Sequence, residues 1–291
     1  MFGLAALATA ALAWHAAAPL PEARTEVAGA VLGQELVVAG GYTADGRSSR
    51  RVDAYSPARD RWRRLADLPV AVNHAAAAAG GRRLYVVGGF GGERRASVLV
   101  SGRWRRLRDL PSGRAAGGAA IVGAKLYVVG GLTGNGLARS MLVLDLRTGR
   151  WSAAPGPTPR QHLAVTALGG RIYALAGRIA GYDTNMRTFE SYTPGARRWR
   201  RLPPVPGARG GTGVAAVGRL MVSVGGEAPA GTIARVYAFD VRTRRWRRFP
   251  DLPTPRHGLA VEALGGRVYA AAGGPKPGLF VSAVNEYLPV G

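Results

Sequence analysis

Six times along the chain a short apolar run ends in a pair of glycines or a close substitute. The runs are Leu36 to Gly41, Leu84 to Gly89, Leu126 to Gly131, Ile172 to Gly177, Leu220 to Gly226 and Val268 to Gly274. Residues such as Leu126-Tyr127-Val128-Val129 are apolar or aromatic at every position and rich in β-branching. That predicts a strand covered on both faces. The glycines predict a sharp turn with close backbone packing at the end of each strand. Beyond the first thirteen residues no stretch holds a helical period, so the pattern predicts an all-β chain.

The tryptophans carry the same period. Trp14, Trp62, Trp104, Trp151, Trp199 and Trp246 follow one another at intervals of 42 to 48 residues. A fixed period of this length marks a propeller or a solenoid. Each repeat reads as four strands: an innermost one such as Ala115–Ile121, the run before the glycines, one bearing Val52/Tyr55 or its equivalents, and one bearing the tryptophan. Turn residues such as Ser101-Gly102 and Arg147-Thr148-Gly149 separate the last two. The chain opens part-way through a repeat and closes part-way through another. Val284 to Pro289 matches Val52 to Pro57, with no tryptophan after it. The two pieces add up to one unit, which predicts a closed ring whose N-terminal strand completes the last blade and removes an exposed sheet edge.

The double glycine after an apolar strand, the spaced Tyr and Trp, and the Leu-Pro-x-x-Arg phrase (Leu20 to Arg24, Leu110 to Arg114, Leu252 to Arg256) resemble kelch repeats. The resemblance covers residues 14–289 and implies a six-bladed β-propeller of four-stranded blades around a central channel. Repeats fall near 14–62, 63–104, 105–151, 152–199, 200–246 and 247–291. Ala176 stands where a glycine is usual, and the second repeat lacks the Tyr-x-Pro segment. Kelch propellers include binding platforms, sugar-oxidising copper enzymes and sialic-acid mutarotases, so the fold alone assigns no chemistry. Residues 1–13 resemble the apolar part of a signal peptide, with Ala11-Leu12-Ala13 as a cleavage site and no basic leading segment. On that reading the protein is exported, secreted or held at the cell envelope. An inner-strand extension or a misplaced start codon are the alternatives. The stretch is too short to span a bilayer.

Charge sharpens the picture. The formal net charge is +23, and of the 40 basic residues only Lys125 and Lys276 are lysine. So strong a preference for arginine, beside abundant alanine and glycine, reads as codon choice in a GC-rich genome, which argues against specific nucleic-acid recognition. A surface that attracts anions is still expected. With no cysteine, disulfides, thiolate metal sites and a cysteine-dependent copper centre are excluded.

Three constellations are candidates for function. Arg24, Arg114, Arg160, Arg209 and Arg256 occupy one equivalent position before the innermost strand, with Val72 in the remaining repeat. A ring of guanidinium forks near one channel mouth would hold a carboxylate, phosphate or sulfate. The competing reading is that they are structural residues bonding loop carbonyls between blades. Glu227 is the one carboxylate directly after a double glycine that ends an apolar run and, with Arg235, forms a candidate acid/base and anion clamp of the mutarotase kind. Arginines flanking the tryptophans, as in Arg244-Arg245-Trp246-Arg247-Arg248, form an outer belt that screens strand edges or adheres to anionic polymer or the cell envelope. His15, His74, His162 and His257 show no metal-ligand spacing, so neither a metal nor a cofactor is expected. The expectation is a monomeric, non-catalytic kelch protein holding an acidic peptide, protein or glycan at one mouth. The alternative is a sugar-acid enzyme using Glu227, Arg235 and the arginine ring.

Overall fold

A computed structural model describes residues 12–290. Four-stranded antiparallel sheets follow one another around an axis, each a meander in chain order. Blade one is Ala28–Leu32, Glu35–Ala39, Val52–Ser56 and Arg61–Arg64. Blade two is Ala76–Gly80, Arg83–Val87, Ala96–Val100 and Arg103–Arg106. Blade three is Gly118–Val122, Lys125–Val129, Ser140–Asp145 and Trp151–Pro155. Blade four is Ala164–Leu168, Arg171–Leu175, Phe189–Tyr192 and Arg200–Arg201, and blade five is Gly213–Val217, Leu220–Val224, Val236–Asp240 and Arg245–Phe249. In blade six, Ala260–Leu264, Arg267–Ala271 and Asn285–Pro289 are joined by His15–Ala17, which pairs His15 with Tyr287 and Ala17 with Asn285. The predicted ring closure is therefore present. The expected export segment lies outside the described residues apart from Leu12 and Ala13.

The second strand of each blade is apolar throughout because both its faces are covered. Each of the buried cores lies between two neighbouring blades: Leu84 and Val86 pack against Val37 and Val52, and Val268 and Leu288 against Val222 and Val236. The innermost strands are built from Ala, Gly and Val because they converge on the axis. A Cβ at Gly213 would lie 2.2 Å from Val261, and one at Gly118 2.6 Å from Val165.

The tryptophans couple blades by one repeated bond. Each indole N–H donates to a carbonyl in the exit linker of the preceding blade: Trp14 to Pro250, Trp62 to Ala18, Trp104 to Ala66, Trp151 to Arg108, Trp199 to Pro155 and Trp246 to Pro203, all at 2.7–2.9 Å. The antiparallel meander sends the first-to-second and third-to-fourth strand turns to one face. The glycine turns and the blade-to-blade linkers lie on the other.

Candidate functional site

The five equivalent arginines do not face the channel. Their exposure is 3 % or less, and none lines the central cavity. Arg256 donates to the carbonyls of Thr254, Ala270, Ala272 and Val284 and to Glu286 Oε2 at 2.7 Å. Arg160 does the same with Thr158, Ala174, Ala176 and Glu190. Arg24 bonds the Gly40 and Arg51 carbonyls and the Asp53 carboxylate. Arg114 reaches the Gly113 and Ser140 carbonyls, and Arg209 those of Gly225 and Arg235. Burial pushes the Arg209 and Arg256 guanidiniums down to about 10. These side chains clamp the glycine turn to the third strand; the geometry gives them a structural role, inside each blade and not between blades as the competing reading has it.

Two residues further along, the chain meets the channel mouth. Glu26, His74, Ala116, His162, Gly211 and Gly258 take the same place in successive blades, each with φ between +51° and +64°. Their backbones form a closed circle. His74 N–H donates to Glu26 O, Ala116 to His74, His162 to Ala116, Gly211 to His162, Gly258 to Gly211, and Val27 back to Gly258, at 2.7–3.2 Å. The left-handed conformation is free for glycine but costs about 1–2 kcal/mol for a residue with a Cβ. Glu26, His74, Ala116 and His162 hold it nonetheless.

Their side chains meet above the channel. His74 Nε2 lies 3.1 Å from His162 Nε2 and 3.2 Å from Glu26 Oε2. The Tyr42 and Phe90 rings stand edge-on to His74, with centroids 5.8 and 5.3 Å away. On the other side Glu26 Oε1 meets His257 Nδ1 at 3.0 Å, and Glu227 Oε2 lies 3.4 Å from the same nitrogen. Burial pushes the His162 imidazole down to about 3. Burial would raise the Glu26 carboxyl, but His74, the His257 hydrogen bond and the other surrounding imidazoles together outweigh it and hold that carboxyl low. His257 is raised overall: desolvation lowers it most, but the hydrogen bond and charge of Glu26, the Glu227 charge and the Lys276 carbonyl together outweigh that.

Glu227 is at this mouth, but its partner is not Arg235. Arg178 Nη1 bonds Glu227 Oε1 at 2.7 Å, whereas Arg235 is exposed and gives only its backbone carbonyl to Arg209. The Glu227–Arg235 clamp expected from sequence is therefore not formed. Glu227 Oε2 is buried without a hydrogen-bond partner. The histidine cluster escaped sequence reasoning because its members lie some 88 and 95 residues apart and no local spacing marks them. The signal that was present is the shared repeat position of His74 and His162.

Below the mouth runs a channel of about 390 Å³ lined by alanine, glycine and valine. Glu262 projects into it without a charged partner, and desolvation pushes its carboxyl up to about 8.

The opposite face differs. Its first-to-second strand turns carry exposed Arg82, Arg83, Lys125, Arg171, Arg219 and Arg267. Between blades four and five a cleft of about 430 Å³ opens beside them. The outer strand of blade four is only Arg200–Arg201, and the shortened edge leaves this space. Arg171, Arg200, Arg201 and Arg244 line it over Tyr173, Leu202 and Phe239, with no carboxylate in the wall.

With this geometry in view, the comparisons with known proteins fall into place. The KLHDC2/KLHL20/DRC7 kelch-repeats domain family matches residues 98–274, more than half of the chain, and the kelch motif matches residues 23–69. The chain belongs to the kelch-repeat family. Among curated relatives, the kelch-like protein terF of Aspergillus terreus is 30% identical over 105 residues, covering 34% of this chain and 23% of that protein. An F-box/kelch-repeat protein of Arabidopsis thaliana is 39% identical over 49 residues, covering 17% of this chain and 13% of that protein. The chain thus spans less than a quarter of the length of either relative. As a kelch propeller it shares a fold that typically mediates protein interaction. In this kelch propeller the repeated arginine of the Leu-Pro-x-x-Arg phrase builds the blade, and the residues two places after it form the circle at the mouth.

Proposed function

We propose that this kelch propeller is a non-catalytic binding protein that holds an acidic protein segment on its arginine-rich turn face, anchored in the cleft between blades four and five. The observation that carries the reading is the cleft itself. Four exposed arginines surround an aromatic floor with no opposing carboxylate in the wall. Guanidinium groups stay charged and offer paired donors, so carboxylate side chains are the natural complement. Tyr173 and Phe239 offer the apolar contact that a peptide backbone or stem needs. The net charge of +23 adds long-range attraction and speeds encounter.

The test is the anisotropy of a labelled polyglutamate peptide titrated with the full chain. Binding is expected to weaken as salt rises. Replacing Arg171, Arg200, Arg201 and Arg244 together with glutamine should weaken binding by about tenfold or more, about 1.4 kcal/mol or above, with an unchanged melting temperature. Equal affinity in the variant overturns the reading. A preference for single-stranded nucleic acid or a sulfated glycan over the peptide would move the partner to that class instead.

A further inference from the structure

From the opposite mouth we infer that Glu26, His74 and His162 form a binding site for one divalent transition-metal ion, with an open position facing the channel. The tautomers are the first argument. His162 Nδ1 meets Gln161 Oε1 at 3.0 Å, while the Gln161 amide nitrogen points at the Ile179 carbonyl, which only accepts. Gln161 therefore presents its oxygen, and His162 Nδ1 carries the proton. His74 Nδ1 likewise faces Asn73 Oδ1, whose amide nitrogen donates to Ser48 Oγ. With both rings neutral the two Nε2 atoms are lone pairs, and they face each other across 3.1 Å with the Glu26 carboxylate 3.2 Å from one of them. Three such donors repel unless a cation lies among them: a proton on His74 relieves the contacts of that ring alone, whereas a metal ion is bound by all three donors at once. A ring nitrogen fixed by an amide oxygen on its far side is the usual support of a metal-bound histidine.

The spacing agrees. Ligands about 2.0–2.1 Å from a zinc-like ion stand roughly 3.0–3.4 Å apart along a coordination edge. Two imidazoles and one carboxylate suit Zn2+, Fe2+ or Co2+ rather than Ca2+ or Mg2+, and three protein ligands leave a position for water or a partner's carboxylate.

The surrounding residues make room for these donors. Ala116 sits between His74 and His162 in the circle, and its small side chain lets the two rings meet across it. A Cβ at Gly258 would fall 2.6 Å from Glu26 Oε1, so only glycine there allows the carboxylate its place. The other half of the mouth is a closed ion network. His257 Nε2 faces the Lys276 carbonyl at 3.0 Å, and its Nδ1 faces two carboxylates, so it serves as a donor and not as a ligand. Arg178 neutralises Glu227. This site shares no residue with the arginine cleft and stands or falls independently of it.

The experiment is a Co2+ titration of the full chain followed by visible absorption, with Zn2+ as competitor. One equivalent of Co2+ should produce ligand-field bands that Zn2+ abolishes and Mg2+ does not. His162→Gly is the first variant, since Gly211 already holds the equivalent position in blade five; Glu26→Gln is the second, nearly isosteric. Each should weaken binding by at least about tenfold while the melting temperature of the metal-free protein does not fall. Absence of stoichiometric Co2+ and Zn2+ binding overturns the site. So does undiminished binding in both variants.

Discussion

At the scale of single residues, charge is buried in two ways. Arg256 and Glu286 form a hydrogen-bonded pair inside a blade, at 0 % and 8 % side-chain exposure. Replacing Arg256 with alanine strands the carboxylate and four carbonyls, so about 3–5 kcal/mol of stability should be lost, read as a lower urea midpoint. A variant as stable as the parent would contradict the clamp described for this arginine. Glu262 is the opposite case, a carboxyl without a partner. Its value of about 8 in the folded protein lies above the ordinary 4.5. The folded state therefore holds a proton that the unfolded chain releases first. No penalty exists below the ordinary value; stability falls as pH rises through the window between the two, and the loss is complete above it. Glu262→Gln should match the parent at acid pH and exceed it by about 1–3 kcal/mol at pH 8, channel water moderating the full effect. Parallel pH profiles for the two proteins would show that Glu262 is already ionised at no cost.

At the scale of the element, the strand pattern was legible and the side-chain destinations were not. Four-residue apolar runs followed by glycine are the direct imprint of a strand covered on both faces, and the structure places all of them second in their blades. The predicted innermost strand Ala115–Ile121 is found slightly later, at Gly118–Val122, because Ala115 and Ala116 belong to the turn that forms the mouth. Sequence could place the Leu-Pro-x-x-Arg arginine at one spot in every repeat. It could not tell which way the guanidinium points, since blade and channel are both within its reach. The tryptophans were legible as packing residues, while their shared hydrogen bond needed coordinates. Trp246→Phe keeps much of the ring and removes the donor to the Pro203 carbonyl. A loss of about 1–2 kcal/mol is expected by urea denaturation, and no loss would show that water replaces the bond freely.

At the scale of the whole molecule, the two faces differ in chemistry: arginine-rich turns on one side, a compact set of histidines and carboxylates on the other. Closure was read from two half-repeats. The mouth was illegible because Glu26, His74 and His162 come from three repeats and meet only once the ring shuts. Removing residues 1–17 should lower the melting temperature and promote association, because Asn285–Pro289 would become a bare edge; an unchanged melting temperature and association state would mean that the edge is protected by other means. The circle of backbone bonds at the mouth has a consequence for how the molecule comes apart. A linear array of repeats can fray from either tip, since its last unit leans on one neighbour only. Here the bond from Val27 to Gly258 joins the final blade to the first. The assembly behaves like a masonry arch bent into a full circle: the chain has two ends, and no blade does.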